Sequence, residues 1–499
     1  MPHTTRSGQL ARKLNLRETA SLAFSTVGAT AGIYSLFNFA ISTSGPAMFW
    51  GWLLVAIGVL AMCLLWAELA SRMPLAGAFY HWGASVAGTR LGWWIGWLYL
   101  FAQCWALTGW YFLVPLTVGP LLGIEFSPLE AALITLGMIV LATVVNAFGI
   151  ELLGKIIFIG VVFELIIAVG LTAWLFIASE HQPLTIFFDL GHAESFTDWI
   201  PMLLLGGIFM PLWVMFTFES AGAVGEETKD ARRVAPKAVL IAFGMTVLIG
   251  VFFLVVVILA IPDVDTIIDS PTALTDIMDA WLPSWAAKVY LVLLLVIEIL
   301  GCNAFFTAVS RQLFGMARAN QLPGGSVLAR TFRGTPTVSI ITVGILTAIP
   351  LLIAQTISAL AAGATSAIYV AYFLLIAALF VARLKGWPRR RITGGFNLGR
   401  WGMPVNIVAL ISAAGALIAL QWPSDLTNPV FAGLRVSYWL FIIPVVVGLV
   451  PFVWWLRRRR VEGDPVDPEI LADEMEARTD SDAPLGADAQ SSLEQVREN

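Results

Sequence analysis

Charge is what this chain has least of. Of 499 residues, 12% are Asp, Glu, Lys or Arg against 58% hydrophobic, and the mean hydropathy is +0.83. That balance excludes a soluble globular domain of this size and points to a chain embedded in lipid. Cysteine is also scarce: Cys63, Cys104 and Cys302 all fall in apolar stretches, which excludes a disulfide framework and a CxxC zinc site. The four histidines, His3, His81, His181 and His192, have no metal-ligand spacing. HExxH, nucleophile-elbow and dinucleotide patterns are missing, so no catalytic constellation, metal or cofactor is expected. Gly149 to Lys155 spells GxxxxGK, but Ile156 stands where a phosphate loop needs Ser or Thr. That stretch also opens an apolar run instead of following a soluble strand, so neither a nucleotide nor a nucleic-acid partner is expected. The N-terminus is polar and basic, with no cleavable apolar region before the first long run.

What is present is a succession of apolar runs. Twelve are long enough to cross the hydrocarbon: 19–42, 46–70, 92–119, 128–147, 151–178, 201–225, 235–261, 286–310, 336–354, 356–382, 403–422 and 435–456. The division inside 336–382 rests on Gln355 and Thr356 alone. With the N-terminus inside, 27 of the 29 Lys and Arg residues fall on the inner side, leaving Lys288 and Arg435. The outer loops 179–200 and 262–285 are acidic and hold no Lys or Arg. This asymmetry predicts both termini in the cytoplasm of an inner or plasma membrane protein. The tail 457–499 begins with four Arg and turns acidic, and it reads as disordered, with its basic cluster against anionic lipid.

Two runs carry interruptions that a uniform helix does not need. The sixth holds Gly206, Gly207, Pro211 and Glu219, followed by Ser220, Ala221 and Gly222. A lone Glu at membrane depth costs about 2.5–3.5 kcal/mol on insertion scales, which makes it a functional-site candidate; a Glu that reaches water at the helix end is the alternative. The first run has a small-residue patch, Gly28-Ala29-Thr30-Ala31-Gly32, which reads either as a GxxxG packing face or as an unwound segment offering free backbone groups. Matching interruptions in two halves of a hydrophobic chain point to an inverted repeat with its site between them. The expected organisation is a tail (1–18), repeat 1 (19–178), repeat 2 (201–382), two further helices (403–456) and the C-terminal tail (457–499). Other ionisable residues lie in apolar surroundings: Glu68, Glu164, Glu298 and Lys155. A buried Lys exchanges its proton more readily because desolvation lowers its pKa, so Lys155 reads as a proton carrier or as a snorkelling side chain.

At these residues the chain resembles the amino acid–polyamine–organocation permeases over nearly its whole hydrophobic length. The most specific stretch is FESAGAVGEETKDARRVAPKAVL (218–240), which is similar to that family's sixth span and following loop. ARANQLP (317–323) is similar to the loop after span eight, and SGPAMFWGW (44–52) and AELASRMPLAGAFYHW (67–82) resemble the amino acid/choline branch. The resemblance implies an all-α polytopic protein of 12 transmembrane helices in a five-plus-five inverted repeat, with helices 1 and 6 discontinuous. It implies that the span-one glycine motif, here Thr30-Ala31-Gly32-Ile33 next to Gly28, meets substrate through backbone groups; two of its small residues are replaced, which leaves a substrate with a differently placed carboxylate, or none, open. Trp213, six residues before Glu219, takes the place of an aromatic over the substrate in similar arginine/agmatine exchangers, with Phe216 and Phe218 as neighbouring walls; helix or lipid packing is the alternative for each. Lys155, six residues after Gly149, takes the place of the Lys that stands in for sodium in similar proton-coupled members. The expectation is a secondary transporter for an amino acid or related small amine, coupled to protons. Choline, 4-aminobutyrate or a polyamine on the same fold is the alternative cargo, and a non-translocating receptor is the competing class.

Overall fold

The computed structural model describes residues 12–147, 159–332, 335–353, 356–388, 395–421, 430–431, 433–462 and 473. Lipid offers the backbone no hydrogen bonds, so these apolar runs satisfy their own peptide groups as helices. The helices are α1 (Leu16–Ser25), α2 (Ala29–Ser44), α3 (Phe49–Arg72), α4 (Ala78–Ala87), α5 (Thr89–Leu122), α6 (Pro128–Ala147), α7 (Ile159–Ala178), α8 (Phe196–Val214) and α9 (Ser220–Ala223). They continue as α10 (Ala231–Leu259), α11 (Val264–Ile268), α12 (Ala273–Trp281), α13 (Ser284–Arg318), α14 (Gly325–Leu328), α15 (Thr337–Ala348), α16 (Ile357–Leu384), α17 (Gly402–Leu420) and α18 (Val436–Glu462). Among the described residues, eleven helical spans are long and apolar enough to cross a membrane, and Thr337–Leu352 is a shorter apolar one. The chain is an all-α, multi-pass membrane protein.

Local sequence sets the ends. Asn15 and Glu18 cap α1 reciprocally: Glu18 N–H donates to Asn15 Oδ1 at 3.1 Å and Asn15 N–H to Glu18 Oε2 at 2.8 Å. Gly45, at φ +62°, closes α2. The 34-residue α5 runs through the middle of the bundle, packed by α4, α6, α13 and α16. Its face is rich in aromatics that leave little space: Trp93, Trp105, Trp110 and Tyr111 are all buried.

The face that carries the N-terminal segment is closed by main chain and ion pairs. Glu227 C=O accepts the N–H groups of Lys13 and Leu14, both at 2.9 Å, and Lys229 N–H donates to Leu14 C=O at 2.8 Å. The Glu227 carboxylate pairs with Arg311 at 2.9 Å, both side chains buried. Glu226 pairs with Arg318, one contact at 2.7 Å, and accepts the Ala76 N–H at 2.9 Å. The Glu-Glu pair of the sequence therefore ties the loop after α9 to α13, α4 and the segment before α1. His81 lies beside that pair, and burial pushes it down to about 4, so it is held neutral. Glu68 at the end of α3 is likewise paired, with Arg383 of α16.

Candidate functional site

The first run is broken as its glycines allow. α1 ends at Ser25, and α2 starts at Ala29 with Gly28 as its N-cap at φ +51°. That conformation is open to glycine and strained for residues with a Cβ. A Cβ at Gly28 would also collide with the Trp110 indole, which presses on Gly301 from α13 as well. The unwound residues are Thr26, Val27 and Gly28. Thr30, Ala31, Gly32 and Ile33 already lie within α2, buried, and Gly32 N–H donates to Gly28 C=O at 2.9 Å. Gly32 serves close packing instead: a Cβ there would meet Val214 Cγ2 at 2.8 Å. Both readings of the small-residue patch therefore apply, to different glycines.

The sixth run loosens once before it breaks outright. A π turn at Leu203–Gly207 brings α8 against α2, where the Gly207 N–H donates to Ser44 Oγ at 2.9 Å. α8 then stops at Val214, five residues run without helix, and α9 resumes at Ser220. Thr217, at φ +67°, lies in the gap. Its N–H donates to Tyr372 Oη at 3.0 Å, and its hydroxyl donates to the Thr26 C=O at 3.2 Å. The Thr26 hydroxyl also meets Ser220 Oγ at 3.0 Å. The two breaks therefore touch directly.

Glu219 closes the second gap. It is 2% exposed, which removes the alternative of a carboxylate reaching water. Its Oε1 accepts the Tyr372 hydroxyl at 2.8 Å and the Tyr99 hydroxyl, while Oε2 is buried and unpartnered. Trp213 donates its indole N–H to Ser35 Oγ of α2 at 3.1 Å and packs against Phe216, with ring centroids 5.5 Å apart. Phe216 in turn faces Phe305 of α13 at 6.3 Å. Phe218 points elsewhere and pairs with Phe243 of α10 at 5.6 Å. Gly28, Trp213, Phe216 and Glu219 thus lie along the facing breaks, while Phe218 joins the break to the neighbouring helix. Lys155 lies outside the described residues.

Three residues at the breaks were not expected from sequence, Tyr99, Tyr372 and Thr26, and Glu164, expected only as a buried ionisable residue, joins them there. A Tyr inside an apolar run is a signal in itself, because its buried hydroxyl needs a partner. Glu164 is 1% exposed and reaches from α7 to the start of α2, where its Oε1 accepts the Thr30 N–H at 3.3 Å and the Thr30 hydroxyl at 3.5 Å. Directly after Glu164, α7 has a π turn at Ile166–Leu171. Glu298 lies apart from the breaks: its Oε1 accepts the Thr117 hydroxyl at 2.7 Å, and its Oε2 is buried and unpartnered. An apolar cavity of about 320 Å³ lies between α3, α8, α16 and α17, lined by Met62, Ile208, Leu212, Tyr369 and Ser412 among others.

Discontinuous helices that face each other in a polytopic bundle belong to transporters, where irregular backbone at membrane depth lines a ligand path. The class is thus a membrane permease, not an enzyme. Residues 14–450 match the family model described as amino acid permease, and the chain belongs to that family. This agrees with the amino acid–polyamine–organocation resemblance and does not single out the amino acid/choline branch. The chain is 25% identical, over 81% of its length and 93% of the relative's, to a protein of Macrophomina phaseolina named as a candidate amino acid/polyamine transporter. It is 22% identical to amino-acid permease BAT1 of Arabidopsis thaliana, over 87% of this chain and 92% of that one. It is 24% identical to the GABA-specific permease of Saccharomyces cerevisiae, over 64% of this chain and 60% of that one.

Proposed function

We propose that this permease is a secondary transporter that moves an amino acid or related small amine across an inner or plasma membrane by alternating access, with both termini cytoplasmic. The observation that carries the reading is the pair of facing breaks, Thr26–Gly28 and Met215–Glu219, with a buried carboxylate at the second. Backbone groups freed at a break supply polar contacts that an intact helix keeps for itself. The Glu219 Oε2 oxygen supplies an acceptor for an ammonium, and the Trp213 and Phe216 rings supply apolar and cation–π surface. Gly28, Thr30, Ala31 and Ile33 form the first wall, with Gly32 setting how closely α8 approaches it, and the two five-helix repeats rock about this site. Lys155 takes up and releases the coupling proton.

Uptake of labelled substrates into proteoliposomes tests this. An imposed pH gradient drives accumulation, and Lys155→Ala abolishes the pH-driven part while leaving substrate binding. Unchanged accumulation in that variant discards the coupling role of Lys155. Absence of flux with binding intact turns the reading to a receptor. A polyamine or 4-aminobutyrate carrier, or an exchanger, is the second reading; it draws on the names of the Macrophomina and yeast relatives. Competition of uptake by unlabelled amines separates these cargoes.

A further inference from the structure

The start of α2 presents first-turn amides to the break, and such amides lack intrahelical partners and favour an anion. A substrate carboxylate is the expected guest there. In this chain the place is taken by the protein itself. Glu164, buried in α7, sets its Oε1 on the Thr30 N–H at 3.3 Å and the Thr30 hydroxyl at 3.5 Å. The facing break adds an independent second carboxylate: Glu219, also buried, with Oε1 held by Tyr372 and Tyr99 and Oε2 unpartnered. The two breaks thus offer carboxylate oxygens where an amino acid would bring one of its own. A guest with a carboxylate next to its ammonium would set like charge against Glu164 and compete with it for the same amide.

We infer that Glu164 is a specificity-determining residue that stands in for the substrate's carboxylate, so that this permease takes an organic ammonium bearing no carboxylate on the adjacent carbon. The inference rests on the transport site proposed above and narrows its substrate class. Glu219 receives the ammonium, and Glu164 keeps the α2 amide occupied. A cation without a carboxylate leaves that amide satisfied, whereas an α-amino acid must displace a covalently tethered competitor.

Matched pairs test the inference: putrescine against ornithine, agmatine against arginine, and 3-methylbutylamine against leucine. Binding to the full-length purified protein is read by thermal shift, and flux by uptake into proteoliposomes. In the wild type, the decarboxylated member of at least one pair binds about tenfold or more tighter than its amino acid. Glu164→Gln removes the charge but keeps an acceptor for Thr30, and it narrows that ratio at least about tenfold. Glu164→Ala goes further by freeing the amide, and the amino acid gains affinity. Should the Ala variant fail to fold, the wild-type ratio and the Gln variant still decide. Equal or tighter binding of the α-amino acid by the wild type, or a ratio indifferent to Glu164→Gln, overturns the inference and leaves the transport site standing. Binding without flux discards transport, while the ratio still judges Glu164. No binding by any member overturns both.

Discussion

The two breaks are held open by different physics. At the first, three residues leave the helix and the strained position is a glycine, Gly28 at φ +51°. At the second, five residues leave it and the strained position is Thr217, a β-branched residue at φ +67°. Left-handed backbone is inexpensive for Gly and costs an L-residue about 1–2 kcal/mol. The first break is thus encoded locally. The second persists because its polar groups have partners elsewhere: the Tyr372 hydroxyl for the Thr217 N–H, the Thr26 carbonyl for the Thr217 hydroxyl, and two tyrosines for Glu219. Tertiary hydrogen bonds replace what glycine supplies at the other site.

The largest effect is expected at Glu219. Glu219→Leu removes the acceptor of both tyrosine hydroxyls and the one oxygen left for a ligand. Each orphaned buried hydroxyl costs about 1–3 kcal/mol, and transport falls about 10- to 100-fold if one charge-assisted contact to substrate is lost. Uptake by proteoliposomes measures the second effect and thermal unfolding the first. Glu219→Gln keeps acceptor capacity and recovers stability more than transport. Wild-type uptake by Glu219→Leu would break the comparison by leaving the second gap without a ligand role.

Next comes Gly28→Ala, which tests whether the first break is truly local. The added Cβ pays for left-handed backbone and meets the Trp110 indole. The two together amount to about 2–5 kcal/mol of destabilisation. The cost of Gly28→Ala measured in a Trp110→Ala background, against Trp110→Ala alone, lacks the steric part, so this double-mutant cycle separates the two contributions. Thr217 offers the reciprocal test. Thr217→Ala loses the hydroxyl contacts and keeps the strain; Thr217→Gly loses the same contacts and relieves it. The Gly variant should be the more stable by about 1 kcal/mol. An Ala variant as stable as the Gly variant would mean that strain is absent from the second break.

The same contrast explains what is legible in the sequence. Helices are, because lipid leaves the backbone no other way to satisfy itself, and so is Glu219, because a carboxylate amid apolar residues stands out. The exact site of unwinding is not. Five small residues from Gly28 to Gly32 read alike in sequence; the Trp110 ring, reaching in from α5, marks Gly28 as the turning point. A break within span six is expected from Gly206, Gly207, Pro211 and Glu219, but nothing local in Met215–Glu219 marks that stretch as its place. Its partners, Thr26, Tyr99 and Tyr372, come from far along the chain. Glu164 reads only as a buried acid, since its contact with Thr30 joins residues 134 positions apart.

The smallest effect serves as the internal control for Gly28. Gly32 lies one helical turn further on, inside regular α2, and the closest approach to a Cβ placed there is the side chain of Val214 at 2.8 Å. Ala raises helix propensity by about 1 kcal/mol over Gly. The Val214 methyl must yield by about half an ångström or more to reach ordinary contact, a strain of about 1–2 kcal/mol. The two nearly cancel, so Gly32→Ala should change unfolding stability by less than about 1 kcal/mol, while Val214→Ala in that background should turn the balance toward stability at this contact. A loss at Gly32 as large as at Gly28 would mean that close approach of α2 and α8, and not the left-handed turn, is what the glycines of the first break are there to permit.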